Sequence, residues 1–418
     1  MREMKDSGVE WIGKIPVTWN VYRNKNAFVC SKDLVGGKSS ETQLLSLTTK
    51  GIKLKDINNA EGKLPESFDT YQYVKKDEMV MCLFDLDCSA VFSGLSPYDG
   101  MISPAYKVLT CTDRMEPKYA DYWFQYISHG RKFNHYAKNI RYTLSYEEFS
   151  ALPMLFPDRE EQIRISNYLD AKCSKIDEII EKQQAIIEKL KEYKLHLIQE
   201  TVTKGLDRNA ELRESGEIWI GKVPKHWDVL KLKSHTRMIT PMRDKPEDLS
   251  GDIPWVRIED YNGKYIDSSR EGFGVSEQTV KEMNLKVYPV GSILCTSSCD
   301  LGKCAIVATP LVSNQRFINI VPDEDTSSDY LYYVMLSNAD RMNHLSTGTI
   351  QANLSRVAFE HLLIQFPPLE EQKEIALYLD HKVEVIDSTI MGKEKLVEKL
   401  REYKKSLIYE VVTGKKEV

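Results

Sequence analysis

The sequence predicts an α+β chain: two mixed α/β domains separated by two long antiparallel coiled-coil helices, with an internal pseudo-twofold, a tandem repeat of circular type. Three observations predict it. Phe-Pro-Asp-Arg-Glu-Glu-Gln at 156–162 returns as Phe-Pro-Pro-Leu-Glu-Glu-Gln at 366–372, and Lys-Leu-Lys-Glu-Tyr-Lys at 189–194 returns as Lys-Leu-Arg-Glu-Tyr-Lys at 399–404, both shifted by 210. A Trp/Pro phrase at 6–21 returns at 214–229, so that Trp11, Gly13, Pro16 and Trp19 match Trp219, Gly221, Pro224 and Trp227. Between each phrase and each helix lie short apolar runs cut by Gly, Pro and Asp, the pattern of strands and turns. Two units are too few for a solenoid, so twofold symmetry within the chain is the reading. The expected segments are a first domain at 1–155, a first spacer helix at 156–205, a second domain at 206–365 and a second spacer helix at 366–418.

In the first domain the strand-like runs are Leu44–Leu47, Glu78–Phe84 and Tyr106–Leu109; in the second they are Ile253–Ile258, Ser292–Cys295 and Phe317–Val321. An amphipathic helix is expected after each set, at Tyr119–Ser128 and Tyr330–Ser337. The two domains are far less alike than the two helices, the pattern that two different specificities on a common frame would produce.

Each spacer helix starts after a proline with acid in its first turn and stops at Lys204-Gly205 or Thr413-Gly414. Reading every seventh residue gives Gln162, Leu169, Ile176, Gln183, Leu190 and Leu197. The row three further on is Ile165, Lys172, Ile179, Ile186, Tyr193 and Glu200. The second copy gives Gln372, Leu379, Ile386, Lys393, Leu400, Leu407 and Ile375, Lys382, Thr389, Leu396, Tyr403, Glu410. That is a heptad seam. The seam residues are therefore expected to be Leu169, Ile176, Ile179, Ile186, Leu190, Tyr193, Leu379, Ile386, Leu396, Leu400, Tyr403 and Leu407, with Gln183 and Lys393 fixing register. About 40 helical residues make a rod of roughly 60 Å.

A chain of 418 residues with 42% hydrophobic and 28% charged content is that of an ordinary globular protein of two or three domains. No run is long and apolar enough for a bilayer and the first residues are polar, so a cytoplasmic location is expected. The eight cysteines lack metal-type spacing and read as reduced thiols. No metal site is expected. The net charge of −5 confines any nucleic-acid surface to a local patch.

Such a patch is visible twice. From Tyr122 to Tyr146 there is no Asp or Glu, yet Arg131, Lys132, Lys138 and Arg141 stand among His and Tyr; Arg341 to Phe359 is likewise acid-free. Basic groups contact phosphate, while Asn, Gln, Arg, Ser and Thr read base edges. The residues expected on DNA are Arg131, Lys138, Arg141 and Tyr142 in the first domain, and Arg257, Asn314, Gln315, Arg316, Thr349, Gln351 and Asn353 in the second. A solvated loop and helix face is the competing account.

Catalytic patterns are missing. Gly37-Lys38-Ser39 lacks the upstream glycine of a phosphate loop, no dinucleotide fingerprint follows a strand, and Pro367-Pro368 lacks the flanks of an amino-methyltransferase motif. Asp85 and Asp87 have no lysine completing a nuclease set, and Gly-x-Ser-x-Gly does not occur.

The repeated Trp-Ile-Gly-Lys-Ile-Pro-x-x-Trp, the Phe-Pro-x-x-Glu-Glu-Gln entry and the Lys-Glu-Tyr-Lys exit resemble the specificity (S) subunits of type I restriction-modification systems over essentially the whole chain. The resemblance implies two target-recognition domains, each reading half of a split, asymmetric site in double-stranded DNA. It implies helices that act as spacer and as dock for two methyltransferase (M) subunits, with restriction/motor (R) subunits as further partners. S-adenosylmethionine, Mg and ATP belong on those partners, and none of them on this chain, which is a non-catalytic subunit. A coiled-coil scaffold whose domains bind other proteins is the alternative, and a self-contained enzyme the third.

Overall fold

The computed structural model describes residues 2–49, 51–56, 65–86, 92–136, 142–242, 244–298, 301–346 and 353–418. They divide into two compact units, residues 1–184 with 394–418, and residues 185–393. The division cuts each long helix, so neither spacer helix belongs to one unit alone.

In the first unit, strand Asn20–Arg23 pairs with Pro153–Phe156, and a four-stranded antiparallel sheet runs in the order Phe28–Ser31, Lys107–Cys111, Met79–Met81, Ser93–Leu95. Helix Pro117–His129 starts with proline at its first position, where the missing N–H costs nothing. It buries Tyr119, Trp123, Phe124 and Ile127 in the core with Trp19, Phe133 and Phe149.

The second unit pairs Asp228–Lys231 with Leu363–Phe366. Its larger sheet runs Thr236–Ile239, Phe317–Pro322, Ile293–Thr296, Cys304–Val307, Tyr265–Ile266, with the last pair parallel. The first four strands repeat the order of the first unit, which the diverged sequences do not reveal. Helix Ser328–Ser337 stands where Pro117–His129 stands in the other unit, and both agree with the expected short helices to within two residues.

The long helices are Arg159–Lys204 and Leu369–Val412, of 46 and 44 residues. Gly205 (φ +74°) and Gly414 (φ +69°) end or follow them in the left-handed conformation that glycine adopts without strain. Within the first unit the Tyr119 hydroxyl lies 3.4 Å from the Leu155 carbonyl, beside the start of the first helix, and 3.3 Å from the Val412 carbonyl, at the end of the second. In the second unit the Tyr330 hydroxyl lies 3.1 Å from the Gln365 carbonyl and 3.2 Å from the Val202 carbonyl. In each unit, then, the start of one long helix meets the end of the other, so the segments run antiparallel.

Ion pairs show the twofold at residue level. Lys404 Nζ bonds Asp177 at 2.6 Å in the first unit, and Lys194 Nζ bonds Asp387 at 2.6 Å in the second. Asp387 is the copy of Asp177 and Lys404 the copy of Lys194, so the same pair forms twice with the two helices exchanging roles. Polar caps repeat as well. Trp19 Nε1 donates to Glu161 at 2.8 Å, and Trp227 Nε1 to Glu371 at 3.0 Å.

The seam differs from expectation in one row. Leu169, Ile176, Leu379, Ile386 and Leu407 are buried, and Leu190 and Leu400 are half-buried. Ile179, Ile186, Tyr193, Leu396 and Tyr403 are exposed, Ile179 by 44% against 9% for its neighbour Ile180. The second row lies four residues after the first: Cys173, Ile180 and Ile187 in one helix, Val383, Ile390 and Val397 in the other. A step of three turns the side chain about 60° one way and a step of four about 40° the other. Both rows are apolar, and the smaller rotation is the one that faces the partner. Gln183 and Lys393 are half-buried on the first row.

Candidate nucleic-acid interface

The second unit brings five of its expected contact residues, Arg257, Asn314, Gln315, Arg316 and Asn353, to one edge. Strand Ile253–Val256 runs parallel to Val312–Ser313, and the Asn314 N–H donates to the Val256 carbonyl at 3.2 Å, setting Asn314 beside Arg257. The Asn314 side-chain oxygen accepts from the Arg316 N–H at 3.0 Å, a local turn that leaves Gln315 and Arg316 exposed. The Ser297 N–H donates to the Arg316 carbonyl at 2.8 Å, the Leu354 N–H donates to the Ser297 carbonyl at 2.8 Å, and Ser298 bridges Asn353. Arg257, Asn314, Gln315, Arg316 and Asn353 are thus linked through backbone hydrogen bonds although 96 positions separate the first from the last. Ser297 and Ser298, at the centre, were missed by sequence reasoning. They follow a strand rather than lying in an acid-free stretch.

Arg257 is not free on this edge. Its Nη2 donates to Glu271 Oε1 at 2.8 Å, and its guanidinium carbon sits 4.9 Å from the centre of the Phe273 ring. The hydrogen bond to Glu271 raises the guanidinium above its already high ordinary value, which keeps it charged. Packing on the ring and pairing with carboxylate hold the fork in one orientation.

In the first unit the corresponding place is built by residues 83–86, which follow strand Met79–Met81. The Leu144 N–H donates to the Leu83 carbonyl at 2.8 Å, and the Leu86 N–H reaches the Tyr142 carbonyl at 3.4 Å. Tyr142 is exposed at φ 45°, a conformation costing a bulky residue on the order of 1–3 kcal/mol, and so one imposed by its surroundings. Arg131, exposed at φ 48°, opens the turn after helix Pro117–His129. Asp87, Cys88, Lys138, Arg141, Cys299, Thr349 and Gln351 lie outside the described residues.

Much of the two acid-free stretches does other work. Tyr122, Tyr126 and Phe133 are core, and Arg341 is buried with its guanidinium donating to the Leu363 carbonyl at 2.8 Å and meeting Glu217 at 3.5 Å. The Tyr122 hydroxyl donates to Asp170 at 2.8 Å, as Tyr333 does to Asp380 at 2.7 Å, anchoring a short helix to a long one in each unit.

Two α/β units, each carrying antiparallel segments of long helix and the second an edge of Arg, Asn, Gln and Ser, define an internally duplicated class of protein. The model of the Type I restriction modification DNA specificity domain matches residues 224–399. Among curated proteins, the MjaIX type I restriction enzyme specificity subunit of Methanocaldococcus jannaschii is 36% identical over 42% of this chain and 42% of its own length. The putative MjaX specificity subunit of the same organism is 24% identical over 97% of this chain and 95% of its own. Among solved structures, a chain from work on assembly and conformational transition of a type I R-M system superposes with a TM-score of 0.74 at 12% identity, covering 96% of this chain and 99% of that one. The HsdS subunit from Thermoanaerobacter tengcongensis gives 0.52 at 13% identity, covering 96% and 98%. Residues 224–399 are thus similar to the specificity domain of type I restriction-modification systems, and the curated relatives are specificity subunits of such systems, the same family that the repeated motifs resemble. Among the described residues no helix is long and apolar enough to cross a membrane.

Proposed function

We propose that this chain reads a bipartite, asymmetric DNA target, one half with each unit, and positions two methyltransferase subunits and the restriction subunits that join them. The observation that carries the reading is the contrast between frame and edge. Strand order, helix caps and the Asp–Lys pairs repeat, whereas among the described residues the edge in one unit shows Arg257, Asn314, Gln315, Arg316 and Asn353 and the corresponding place in the other shows Tyr142 beside residues 83–86. A repeated frame with unlike edges fits a site whose halves differ. Chemistry stays with the partners: S-adenosylmethionine on the methyltransferases, Mg and ATP on the motor-nuclease, with this chain non-catalytic and working in the cytoplasm.

Mapping methylated adenines in DNA from cells holding the chain and its methyltransferase tests this. The expected result is one split, non-palindromic motif that disappears when the chain is deleted. Methylation that persists without it would overturn the proposal, and gel-shift retention of protein partners but no DNA would favour a scaffold instead.

A further inference from the structure

Away from the polar edge, His235, Asp323 and Asp325 bring three donor atoms to within 4.8 Å of one another. His235 immediately precedes strand Thr236–Ile239 and Asp323 immediately follows its neighbour Phe317–Pro322. The pairing of those strands sets the two side chains together, with the Asp323 N–H donating to the His235 carbonyl at 3.0 Å. His235 Nδ1 lies 2.9 Å from Asp323 Oδ2, and its ring packs 4.6 Å from the centre of Phe366. The other Asp323 oxygen is held by the Asp325 N–H at 3.2 Å and the Thr326 hydroxyl at 2.9 Å. Gln372, at the start of the second long helix, donates to the Asp325 carbonyl at 3.0 Å. His235 and Asp323 are therefore held together by the fold, and the Asp325 backbone is anchored beside them.

Their charge is not balanced. Two carboxylates converge on one imidazole, and among the described residues Asp325 has no cation paired with it. Hydrogen bonding identifies the equivalent positions in the first unit: the Ala27 carbonyl accepts from the Thr112 N–H at 2.8 Å, and the copy of Gln372, Gln162, donates to the Arg114 carbonyl at 3.0 Å. Ala27, Thr112 and Arg114 offer no anionic donor. The frame can thus be built without the cluster, and among the described residues only the second unit carries it.

We propose that His235, Asp323 and Asp325 form a binding site for a divalent transition-metal ion of the zinc, cobalt and nickel class. Donors on one such ion, each at about 2.0–2.2 Å, lie about 3.0–3.5 Å apart, so the His235–Asp323 spacing already suits two neighbouring ligands and Asp325 closes by a small rotation. An imidazole with two carboxylates favours these ions over Mg²⁺ or Ca²⁺, which prefer oxygen alone. Water completes the shell on the exposed side. The ion ties the strand pair to the turn that Gln372 anchors, stiffening the second unit and not the first.

The test is isothermal titration of Co²⁺ into chelator-treated, thiol-blocked full-length protein, with His235→Gln and Asp325→Asn alongside. One site per chain with micromolar affinity is expected, weakened at least tenfold in each variant, with a rise in Tm on adding metal to the wild type only. Circular dichroism establishes that the variants are folded. Absence of saturable binding below millimolar Co²⁺, or equal binding by the folded variants, would overturn the proposal; DNA recognition enters neither outcome.

Discussion

At the scale of single residues, position on the frame decides what a polar side chain does. Arg341 and Arg257 both looked like surface cations in the sequence; one is buried against Leu363 and Glu217 and the other is paired with Glu271 on the polar edge. Composition marks a basic stretch but not its direction, because a side chain's partner comes from strands far away in sequence. On the proposed reading, Asn353→Ala relaxes recognition at one base position by about 1–3 kcal/mol, while Arg316→Ala, if phosphate is its partner, weakens all sequences alike and lowers the salt slope by about one. Binding titrations at several salt concentrations separate the two. A second residue-scale expectation concerns Lys264, whose Nζ meets Asp329 and Asp380, both at 2.6 Å. Burial alone lowers its pKa, but hydrogen bonds to the two carboxylates outweigh this and raise it. Because the folded value lies above the unfolded one, the stabilisation is fully present below the ordinary lysine value of about 10.4 and fades as pH rises through the folded value. The Tm gap between wild type and Lys264→Met should be constant from neutral pH to about 10 and narrow above it. A gap independent of pH would assign the effect to packing.

At the scale of elements, the long helices Arg159–Lys204 and Leu369–Val412 were legible to within a few residues, since proline, acidic first turn, heptad spacing and terminal glycine all agree and each occurs twice. The face they bury was legible only in part. Leu169, Ile176, Leu379 and Ile386 sit where the seven-residue row puts them, but rows three and four residues further on are both apolar, and one-dimensional spacing does not choose between rotations of opposite sense. The structure chooses the row of Ile180 and Val397, which joins the first unit's core, and leaves Ile179 and Leu396 in solvent. Adjacent isoleucines therefore give a clean contrast. Ile180→Ala should cost about 2–5 kcal/mol as a large-to-small core change. Ile179→Ala should stay within about 0.5 kcal/mol. Urea unfolding of the two variants measures this, and equal costs would restore the row first expected. Strands were legible as apolar runs, yet their shared order was not, since Met79–Met81 and Ile293–Thr296 have the same neighbours with little sequence in common.

At the scale of the whole molecule, the twofold explains why the ends of the chain are joined in space. Residues 394–412 complete the first unit, and residues 9–19 pack beside them: Lys415 Nζ reaches the Ile12 carbonyl at 3.4 Å, and a Cβ on Gly414 would come within 2.5 Å of Pro16. In the second unit a Cβ on Gly205 would meet Trp227 at 3.0 Å, the same junction made by continuous chain. The segment that completes the first unit is itself a copy of residues 184–202. Val397, Leu400, Lys404, Leu407 and Ile408 correspond to Ile187, Leu190, Lys194, Leu197 and Ile198, apolar for apolar and lysine for lysine. A chain ending near Gly205 thus lacks the helix that buries Ile176 and Ile180 and pairs Asp177, but a second copy of that chain carries an equivalent helix. Two such chains should exchange these segments and form a homodimer, with Lys194 of each meeting Asp177 of the other. Sedimentation equilibrium should find the dimer, and Lys194→Glu should shift it towards monomer, with Asp177→Lys in the same chain restoring it. On the proposed reading, with methyltransferase added the dimer should direct methylation to a palindrome made of the first half-site. Methylation of the same motif by the half-length protein as by the full chain would overturn the proposed reading, in which each unit reads one half.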